Sequence, residues 1–552
     1  MPSRVNQELT RIFEEMGLMY EMSDDKFRQR AYHRAAYTLS GTPEDIEQIY
    51  KEDGIAGLKN LSGIGEGMAL KIEEYLKKGE IEEYEEMKKK IPVQIQELAS
   101  VEGVGPKAIH KFYKELGVKN LEDLEKVAKE GRIKELSGYG KKTEENILQG
   151  IKFVKDNSGR SLLGDALPYA LDLVKEIKDL EGVEKVSEAG SIRRRQETIG
   201  DVDILVAAKD AEGIFDYVEK QNEVIKVMGR GKTKLSVHLK QGFDIDVRVV
   251  PIESWGAALQ YFTGSKEHNV KVRQIAIERG FKLNEYGLFK GEKNITANQS
   301  EKEIYEKLGM DFPSPELRQD KGEIKRAQEN ELPELIEYGS LRGDMQLQTK
   351  NTDGKHSIEE MAIAAKEFGL DYIAITDHTK GLAMTGGLDE DGLLKQKENI
   401  EKINNKIDGI TILSGAEVNI QKDGSLDIED EALSELDVVG ISIHSYFNLS
   451  KEEQTKRVVE AMRNPHADIF FHPTGRRINR RPPVELDMEK IIEVAKETGT
   501  ILEINAHPER LDLLDEHIRM AVDAGVKMCI NSDAHSKYGY KYLKYGIAQA
   551  RR

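Results

Sequence analysis

The sequence contains a single cysteine, Cys529, among its 552 residues. One thiol excludes a framework of intramolecular disulfides and any zinc site built from cysteines. No apolar run approaches the roughly 18–20 residues of a membrane-spanning helix. The first twenty residues are polar and helix-like, unlike a secretory signal. These absences predict a cytoplasmic protein with no membrane segment.

The chain is too long for one hydrophobic core, so we expect two to four domains. Hydrophobic residues make up 38% and charged residues 33% of the sequence, as in soluble globular proteins. The net charge of −18 argues weakly against bulk electrostatic binding of nucleic acid, because phosphates are anionic. A local basic face is compatible with that overall charge.

Residues 190–206 combine a Gly-Ser turn, a basic loop and a strand that carries Asp201 and Asp203. Residues two apart on a strand point to the same face, so these carboxylates repel each other unless a cation lies between them. Mg²⁺ suits such a site, because it prefers carboxylate oxygen. Asp246, on the alternating strand 244–250, could complete a three-carboxylate cluster that holds two metal ions. The alternative is a strand with solvated charges, which we expect for Asp244.

Three glycine-containing segments, 61–67, 101–107 and 136–142, recur about 35–40 residues apart between helical stretches. Their glycines permit a tight turn and leave backbone N–H groups bare at the start of the next helix, which suits a phosphate. One copy could be an ordinary turn, but three copies resemble helix-hairpin-helix motifs, which bind the DNA backbone without reading sequence. The candidate DNA contacts are Gly63, Gly65, Gly67, Gly103, Gly105 and Lys107.

Residues 261–265, Tyr-Phe-Thr-Gly-Ser, are predicted to form a loop, because Gly264 interrupts the pattern. The helix that follows carries Asn269 and Arg273 on one face. With the Gly-Ser turn, the Asp-x-Asp strand and the hairpin repeats, this segment resembles a family X DNA polymerase of the DNA polymerase beta-like group. The Gly-Ser and Asp-x-Asp elements alone would indicate only the wider nucleotidyltransferase superfamily. The resemblance covers residues 1 to about 318.

The resemblance implies gap filling in DNA repair, with transfer of dNMP to a primer 3′-hydroxyl. It gives Asp201, Asp203 and Asp246 the role of catalytic ligands for Mg²⁺ or Mn²⁺. Ser191 and Arg194 would contact the triphosphate. The full set of implied nucleotide contacts is Gly190, Ser191, Arg194, Gly200, Tyr261, Phe262, Gly264, Asn269 and Arg273.

Within this set, the resemblance implies that Tyr261 and Phe262 pack under the sugar. Asn269 would meet the minor-groove edge of the base, and Arg273 the template side. The hairpin at 103–107 would grip the primer backbone, and the hairpin at 63–67 the downstream strand.

Lys71, on the helix after the first hairpin, is a phosphate contact, a surface charge or a Schiff-base nucleophile for an abasic sugar. By resemblance it matches the lysine of family members with lyase activity. Gly67 and Arg28 stand where those members carry other lysines. The sequence therefore leaves lyase activity open.

The last 210 residues or so alternate strands with helices, which predicts a (β/α) barrel. The predicted strands are 372–376, 411–413, 438–443, 469–471, 501–504 and 527–530. Metal-ligand residue types follow several of them, and side chains after strand ends converge on one mouth of a barrel. A lone histidine is usually structural, but so many such positions favour bound Zn²⁺ or Mn²⁺. The residues are Asp377, His378, Glu417, His444, His472, Asp533 and His535.

This arrangement resembles the PHP (polymerase and histidinol phosphatase) domain, in which three metal ions drive phosphoester hydrolysis as a 3′–5′ exonuclease or abasic-site endonuclease. The family opens with His-x-His, whereas this sequence has Gln346 and Gln348. Glutamine is a poor zinc ligand, so the third metal site, which also needs Glu417 and Asp533, is expected to be compromised. His356 fits no family position and is expected to have a surface role.

By the same resemblance, two metal sites remain. Asp353, His378 and His535 could form one of them. Glu417, His444 and His472 could form the other.

We therefore predict a multidomain protein with an all-α helix-hairpin-helix N-terminal part, an α/β nucleotidyltransferase core and a PHP-type (β/α) barrel. The expected domains are a lyase-like DNA-binding domain (1–90), a hairpin DNA-binding domain (91–160), a palm (161–250), a nucleotide-selection subdomain (251–318), a linker (319–339) and the barrel (340–552).

The expected partners are gapped or primed DNA and dNTPs, and we expect a monomer. Alternatives are a primarily nucleolytic repair enzyme, a template-independent transferase and a DNA-binding scaffold with inactive sites.

Overall fold

The structure is a computed structural model that describes residues 4–42, 45–61, 63–101, 103–156, 159–296, 300–382 and 385–552. Nine α-helices form the described part of the N-terminal region and pack around one core, which includes Phe13, Tyr32, Ile72 and Phe112. They are α1 (Arg4–Met22), α2 (Lys26–Gly41), α3 (Ile46–Lys59), α4 (Glu66–Lys78), α5 (Glu82–Lys90), α6 (Ile95–Ala99), α7 (Pro106–Leu116), α8 (Leu121–Lys129) and α9 (Lys141–Asp156). The predicted helical domains 1–90 and 91–160 thus share apolar packing.

The three glycine segments adopt one repeated turn. Gly63, Gly103 and Gly138 have φ angles of 86°, 81° and 90°, in the left-handed region that glycine enters without strain. The residue after each of these glycines donates its N–H to a carbonyl three residues earlier, at 3.0 Å in every copy. The turns lead directly into α4, α7 and α9. Ser62 and Glu102, within the first two segments, lie outside the described residues.

A five-stranded sheet forms the palm, with the strand order β2-β4-β7-β6-β5. Strands β4 and β7 are parallel neighbours, and the other pairs are antiparallel. The elements are β1 (Ser161–Leu162), α10 (Leu163–Lys178), β2 (Val183–Glu188), α11 (Gly190–Arg193), β3 (Thr198–Ile199), β4 (Asp201–Ala208), α12 (Glu212–Glu219), β5 (Val224–Arg230), β6 (Lys234–Leu239) and β7 (Asp244–Val250). Alternating burial along β7 confirms the alternating strand that the sequence predicts.

The next subdomain packs α13 against a small antiparallel sheet around Leu288 and Tyr305. Its elements are α13 (Trp255–Thr263), α14 (Lys266–Glu278), β8 (Lys282–Asn284), β9 (Gly287–Lys290), β10 (Lys293–Asn294), α15 (Lys302–Lys307) and α16 (Glu323–Glu329). The prediction of a loop at 261–265 is wrong for its first three residues. Gly264 does not prevent the helix but ends it, at φ 69°. Helix α16 lies within the predicted linker, and Ile324 and Ala327 join this core.

Seven parallel strands in sequential order form the barrel. The elements are β11 (Gly343–Asp344), α17 (Ile358–Phe368), β12 (Tyr372–Ile375), α18 (Glu390–Asn404), β13 (Thr411–Asn419), α19 (Asp430–Leu433), β14 (Val438–Ser442), α20 (Lys451–Met462), β15 (Ile469–Phe470), α21 (Met488–Thr498), β16 (Ile501–Asn505), α22 (Asp515–Asp523), β17 (Met528–Asn531) and α23 (Leu543–Arg551). A parallel bridge between Leu347 and Ala534 brings the first and last strands together. All six predicted barrel strands are present, although β13 continues well beyond its predicted end.

The palm and the barrel share apolar packing. Ile478, Leu511 and Tyr545 of the barrel belong to the same buried cluster as the palm residues Leu163 and Val202. In the described part of the chain, no helix is long and apolar enough to span a membrane.

Candidate active sites

The parallel pairing of β4 and β7 assembles the predicted carboxylate cluster. Asp203 lies opposite Asp246 in the strand register. Oxygen atoms of Asp201, Asp203 and Asp246 all lie within 4.8 Å of one another. The structure therefore brings Asp246 next to Asp201 and Asp203, which precede it by more than forty residues in the sequence.

The cluster carries more negative charge than its neighbours balance. Burial first, and then Asp201 and Asp246, raise the pKa of Asp203 to about 7. Lys234 Nζ lies 2.6 Å from an Asp246 oxygen. A divalent cation bound by oxygen ligands would relieve the remaining repulsion, so the residues present fit Mg²⁺ or Mn²⁺.

Gly190 allows this cluster to lie against the start of α11. A Cβ atom at Gly190 would lie 1.9 Å from Asp203 Oδ2, and the residue has φ 57°. Any side chain at this position would displace the carboxylate. Asp244 lies outside the cluster and pairs with His238 Nδ1 at 2.6 Å.

The basic loop after α11 is anchored by residues distant in sequence. Arg193 forms two hydrogen bonds with Glu301, at 2.7 and 2.9 Å, and Arg318 binds the same carboxylate at 2.7 Å. Although burial opposes ionisation, Arg318 and Arg193 lower the pKa of Glu301 to about 2. Sequence reasoning missed Glu301 and Arg318, because no local pattern links them to the loop.

Arg194 lies between the carboxylate cluster and the end of α13. Its guanidinium donates to the carbonyl oxygen of Thr263, and its buried Nε has no partner among the described residues. Burial lowers the pKa of Arg194, while the nearby Asp203 opposes that shift. An unsatisfied buried N–H is suited to an anionic ligand. Ser191 lies in the short helix α11, which Arg194 follows, whereas Gly200 lies beside the Arg160 guanidinium.

Tyr261 and Phe262 form the last turn of α13. Their rings meet edge to face with centroids 5.1 Å apart, and the Arg248 guanidinium lies 4.5 Å from the Phe262 centroid. Because Arg248 and Asp246 are two residues apart on β7, the aromatic pair lies on the same side of the sheet as the cluster. Gly264 ends this helix, and a Cβ there would lie 3.0 Å from Arg194 Nη1.

Asn269 braces the same turn. Its Nδ2 donates to the Tyr261 carbonyl oxygen at 2.7 Å, and its Oδ1 accepts from Gln260 at 2.8 Å. Arg273 Nε donates to the Asn269 carbonyl oxygen at 3.3 Å. Both residues therefore adjoin the aromatic pair, but the Asn269 amide is already engaged within the protein.

The hairpin glycines present open backbone. Built Cβ atoms at Gly65, Gly67, Gly103 and Gly105 meet nothing within 4 Å, whereas one at Gly63 would contact Arg34. Gly65 and Gly105 are the N-cap residues of α4 and α7, without a side-chain cap. The starts of both helices therefore lack a side-chain cap and are sterically open at these glycines. Lys107 is exposed, 3.8 Å from Asp24.

Lys71 does not have a free amine. Its Nζ forms an ion pair with Glu83, which also accepts a hydrogen bond from Tyr32 at 3.2 Å. Although burial opposes ionisation, Lys71 and Tyr20 lower the pKa of Glu83. A Schiff-base nucleophile needs an unprotonated amine, so this carboxylate would have to release Lys71 first.

The barrel mouth contains two groups of candidate ligands. Asp353 lies 3.6 Å from His378 and 3.5 Å from His535. In the second group, Glu417 lies 3.4 Å from His378 and 3.1 Å from His444. The nitrogen and oxygen atoms of each group lie within 4.8 Å of one another, which fits a divalent ion such as Zn²⁺ or Mn²⁺.

Glu417 is the centre of this mouth. It is fully buried in the interior of β13, not after a strand end as the sequence suggested. His472 Nε2 lies 2.8 Å from its Oε1, so the predicted set of Glu417, His444 and His472 is brought together. Although burial opposes ionisation, His378 and His444 hold the pKa of Glu417 well below its usual value. In the other group, burial opposes the charge but Asp353 and Asp533 raise the pKa of His535 to about 9.

Gln346 and Gln348 are buried in the same mouth. Gln348 Nε2 donates to Glu417 Oε2 at 2.8 Å. The Gln346 amide nitrogen, in the orientation that satisfies its surroundings, lies 2.8 Å from Glu503 Oε1. Burial raises the pKa of Glu503 well above its usual value. The two amides form hydrogen bonds with the carboxylates of Glu417 and Glu503 where the family has metal-binding histidines. The residues present therefore do not fit a third metal ion.

Asp533 is likewise engaged within the protein. Arg510 Nε lies 3.2 Å from its Oδ2, and Asn505 Nδ2 donates to the same atom at 3.3 Å. Sequence reasoning missed Arg510, Asn505 and Glu503. Glu503 and Asn505 lie two residues apart on β16 and therefore on the same face of the strand. This alternation is the signal that could have identified them.

Two further histidine and carboxylate positions are structural. Asp377 accepts hydrogen bonds from Thr349, Thr352 and Gln396, which fixes the loop after β11. The expected surface role of His356 is wrong, because its side chain is buried beside Tyr538.

Four family descriptions match separate parts of the chain. Residues 4–81 match the Helix-hairpin-helix domain, 95–152 the SAM-like Helix-hairpin-helix tandem, 258–319 the DNA polymerase beta thumb and 344–507 the PHP domain.

Known relatives match the chain as a whole and in part. A Bacillus subtilis (strain 168) protein named DNA polymerase/3′-5′ exonuclease PolX is 36% identical over 550 residues, which cover 99% of this chain and 95% of that protein. A Thermoanaerobacter sp. (strain X514) protein named "Probable phosphatase" is 34% identical over 195 residues, 33% of this chain and 74% of its own. A crystal structure of Leishmania infantum polymerase beta, a ternary P/T complex, shares 24% identity and covers 41% of this chain and 97% of its own, with a TM-score of 0.26.

The chain therefore belongs to the family X DNA polymerases that carry a C-terminal PHP domain. Within that class it is similar to PolX of Bacillus subtilis along nearly the whole length of both proteins. The predicted hairpin-containing N-terminal part, the polymerase beta-like core and the PHP barrel are confirmed.

Proposed function

We propose that this polymerase fills short gaps during DNA repair by transferring dNMP from a dNTP to a primer 3′-hydroxyl. The observation that carries the proposal is the cluster of Asp201, Asp203 and Asp246 with its unbalanced negative charge. Mg²⁺ or Mn²⁺ bound there would supply activation of the hydroxyl and neutralisation of the leaving pyrophosphate.

The protein side chains hold the substrates around this cluster. The primer 3′-oxygen forms a bond to the α-phosphorus as the bond to pyrophosphate breaks, and the hydroxyl proton passes to solvent. Arg194, whose Nε lacks a partner among the described residues, binds the triphosphate together with Ser191. Tyr261 and Phe262 form the surface under the sugar, and Asn269 and Arg273 lie beside the base pair.

The hairpins bind the DNA backbone on either side of the gap. Gly63, Gly65 and Gly67 contact the downstream strand, and Gly103, Gly105 and Lys107 the primer strand. The open backbone at α4 and α7 supports this assignment. The protein acts as a monomer in the cytoplasm. Lys71 serves mainly as part of a partly exposed ion pair, with lyase chemistry dependent on release from Glu83.

The barrel is proposed to hydrolyse phosphodiester bonds at a DNA 3′ end with two bound metal ions. One would be held by Asp353, His378 and His535, and the other by Glu417, His444 and His472. Gln346 and Gln348 leave a third ion without a complete set of ligands, and Asp533 is paired with Arg510. We expect this activity to be weaker than synthesis.

A gapped-DNA assay that follows extension and degradation together tests both halves. We expect extension with Mg²⁺ or Mn²⁺, and loss of extension in Asp201→Ala while DNA binding and degradation persist. Glu417→Ala should lose barrel metal, measured by elemental analysis, and degradation, but not extension. Extension that survives Asp201→Ala would refute the palm assignment, and degradation without extension would favour a primarily nucleolytic enzyme.

A further inference from the structure

Residues 476–481, Arg-Arg-Ile-Asn-Arg-Arg, form a short basic hairpin after the ligand candidate His472. Arg477 and Arg481 pair in both directions, with N–H to oxygen bonds of 2.9 and 2.7 Å. Four of the six residues are arginines, in a chain whose net charge is −18. Such local concentration of positive charge indicates an anionic partner.

The hairpin is firmly attached at its base. Ile478 is buried in the core shared with the palm, and its N–H donates to Glu509. Arg476 binds Glu197 of the palm at 2.7 and 3.2 Å, and the Asn479 amide donates to the Arg160 carbonyl oxygen at 2.9 Å. The hairpin therefore connects the palm directly to the barrel mouth.

The two outward arginines keep about half of each side chain exposed, although Glu14 and Asp165 also lie within electrostatic reach of Arg480. Arg477 and Arg480 share one carboxylate, Glu509, at 3.9 and 3.4 Å, and their side chains are 45% and 54% exposed. Burial and the neighbouring Arg510 lower the pKa of Arg477, as expected for crowded like charges. A phosphate group would relieve this repulsion.

We propose that the basic hairpin binds the sugar–phosphate backbone of the single strand whose 3′ end enters the barrel mouth, with Arg477 and Arg480 as the phosphate contacts. The role of the hairpin in hydrolysis rests on the proposed nuclease function of the barrel. Binding of the single strand does not depend on that function. In this arrangement the DNA strand would contact the basic hairpin on its way from the palm to the barrel mouth.

The test uses the full-length protein and a fluorescein-labelled single-stranded oligonucleotide in EDTA, so that binding is measured without hydrolysis. We expect Arg477→Gln/Arg480→Gln to weaken binding about tenfold or more and to reduce the slope of log affinity against log salt by about 1 to 2. Arg477→Lys/Arg480→Lys should retain most of the affinity. The matched control is Arg342→Gln/Arg463→Gln, which removes the same charge at the opposite end of the barrel and should bind as wild type. Equal losses in both glutamine variants, or none in either, would overturn the proposal.

Hydrolysis separates this proposal from the function of the barrel. In Mn²⁺, the hairpin variant should show a raised KM for the oligonucleotide but unchanged cleavage of bis(p-nitrophenyl) phosphate, which has no DNA backbone. Extension of gapped DNA should stay within about twofold, since no palm ligand is altered. If wild type cleaves neither substrate, the nuclease function fails while the binding result still decides the role of the hairpin.

Discussion

The palm and the barrel both have clusters of acidic side chains beside parallel strands, but the two clusters differ in how far neighbouring groups balance their negative charge. In the palm, Lys234 faces Asp246, while the pKa of Asp203 rises to about 7. In the barrel mouth, Glu417 receives a hydrogen bond from Gln348, and Asp533 is paired with Arg510. The palm cluster keeps negative charge that a cation would balance, whereas other protein groups balance part of the charge in the barrel mouth. Both sites contain several carboxylates, so their number does not distinguish them. The difference is that the palm has a complete set of ligands with unbalanced charge, whereas the barrel mouth does not.

The largest expected effect comes from removing a palm ligand. Asp246→Asn should lower extension of gapped DNA by at least about a thousand-fold, because loss of metal-ion stabilisation costs several kcal/mol in the transition state. Asp244→Asn, two residues away on the same strand face but outside the cluster, should extend nearly as wild type. Primer-extension rates at saturating dNTP measure both. Equal loss in the two variants would show that strand stability, not the metal cluster, limits activity.

A smaller effect should follow from rebuilding the barrel mouth. Gln346→His/Gln348→His supplies the two ligands that the sequence lacks, and we expect about one additional Zn²⁺ or Mn²⁺ per chain. Elemental analysis after gel filtration measures the ion content, and DNA degradation should rise with it. Gln421→His, outside the mouth, is the control. An unchanged ion content would mean that Arg510 and Asn505, rather than the glutamines, close this site.

The smallest effect concerns the charge of the palm carboxylates when EDTA keeps metal ions away from them. The folded pKa of Asp203, about 7, lies above its unfolded value of 3.8, so the contribution of this group to the stability of the metal-free protein falls from about pH 4 to about pH 7 and then levels off. Asp203→Asn removes this loss. In EDTA, the melting temperature of the variant should therefore rise relative to that of wild type as the pH increases over that range. Mg²⁺ added above pH 7 should stabilise wild type more than the variant. Parallel melting curves at every pH would contradict the unbalanced-charge account.

Sequence patterns predicted the features that depend on local spacing. The Asp-x-Asp strand, the repeated glycine turns and the histidines of the barrel follow from alternation and from residues at strand ends, and each lies where its pattern indicates. The prediction of a loop at 261–265 was wrong for its first three residues, because a glycine can end a helix as readily as it can lie within a loop.

Features that depend on long-range packing were not predictable. The Arg193–Glu301 pair joins residues more than one hundred positions apart. The Arg510–Asp533 pair depends on the order of strands around the barrel. His356 looked like a surface residue because its burial comes from the chain that follows the last strand, including Tyr538.

The closure of the barrel by Leu347 and Ala534 has a consequence during protein synthesis. The helical N-terminal region makes mainly short-range contacts, so it can fold soon after it leaves the ribosome. The barrel cannot close until its last strand has emerged, and the palm core is complete only when Ile478, Leu511 and Tyr545 of the barrel have been added to it. We expect truncated chains that lack these barrel residues to have a less stable palm than the full-length protein.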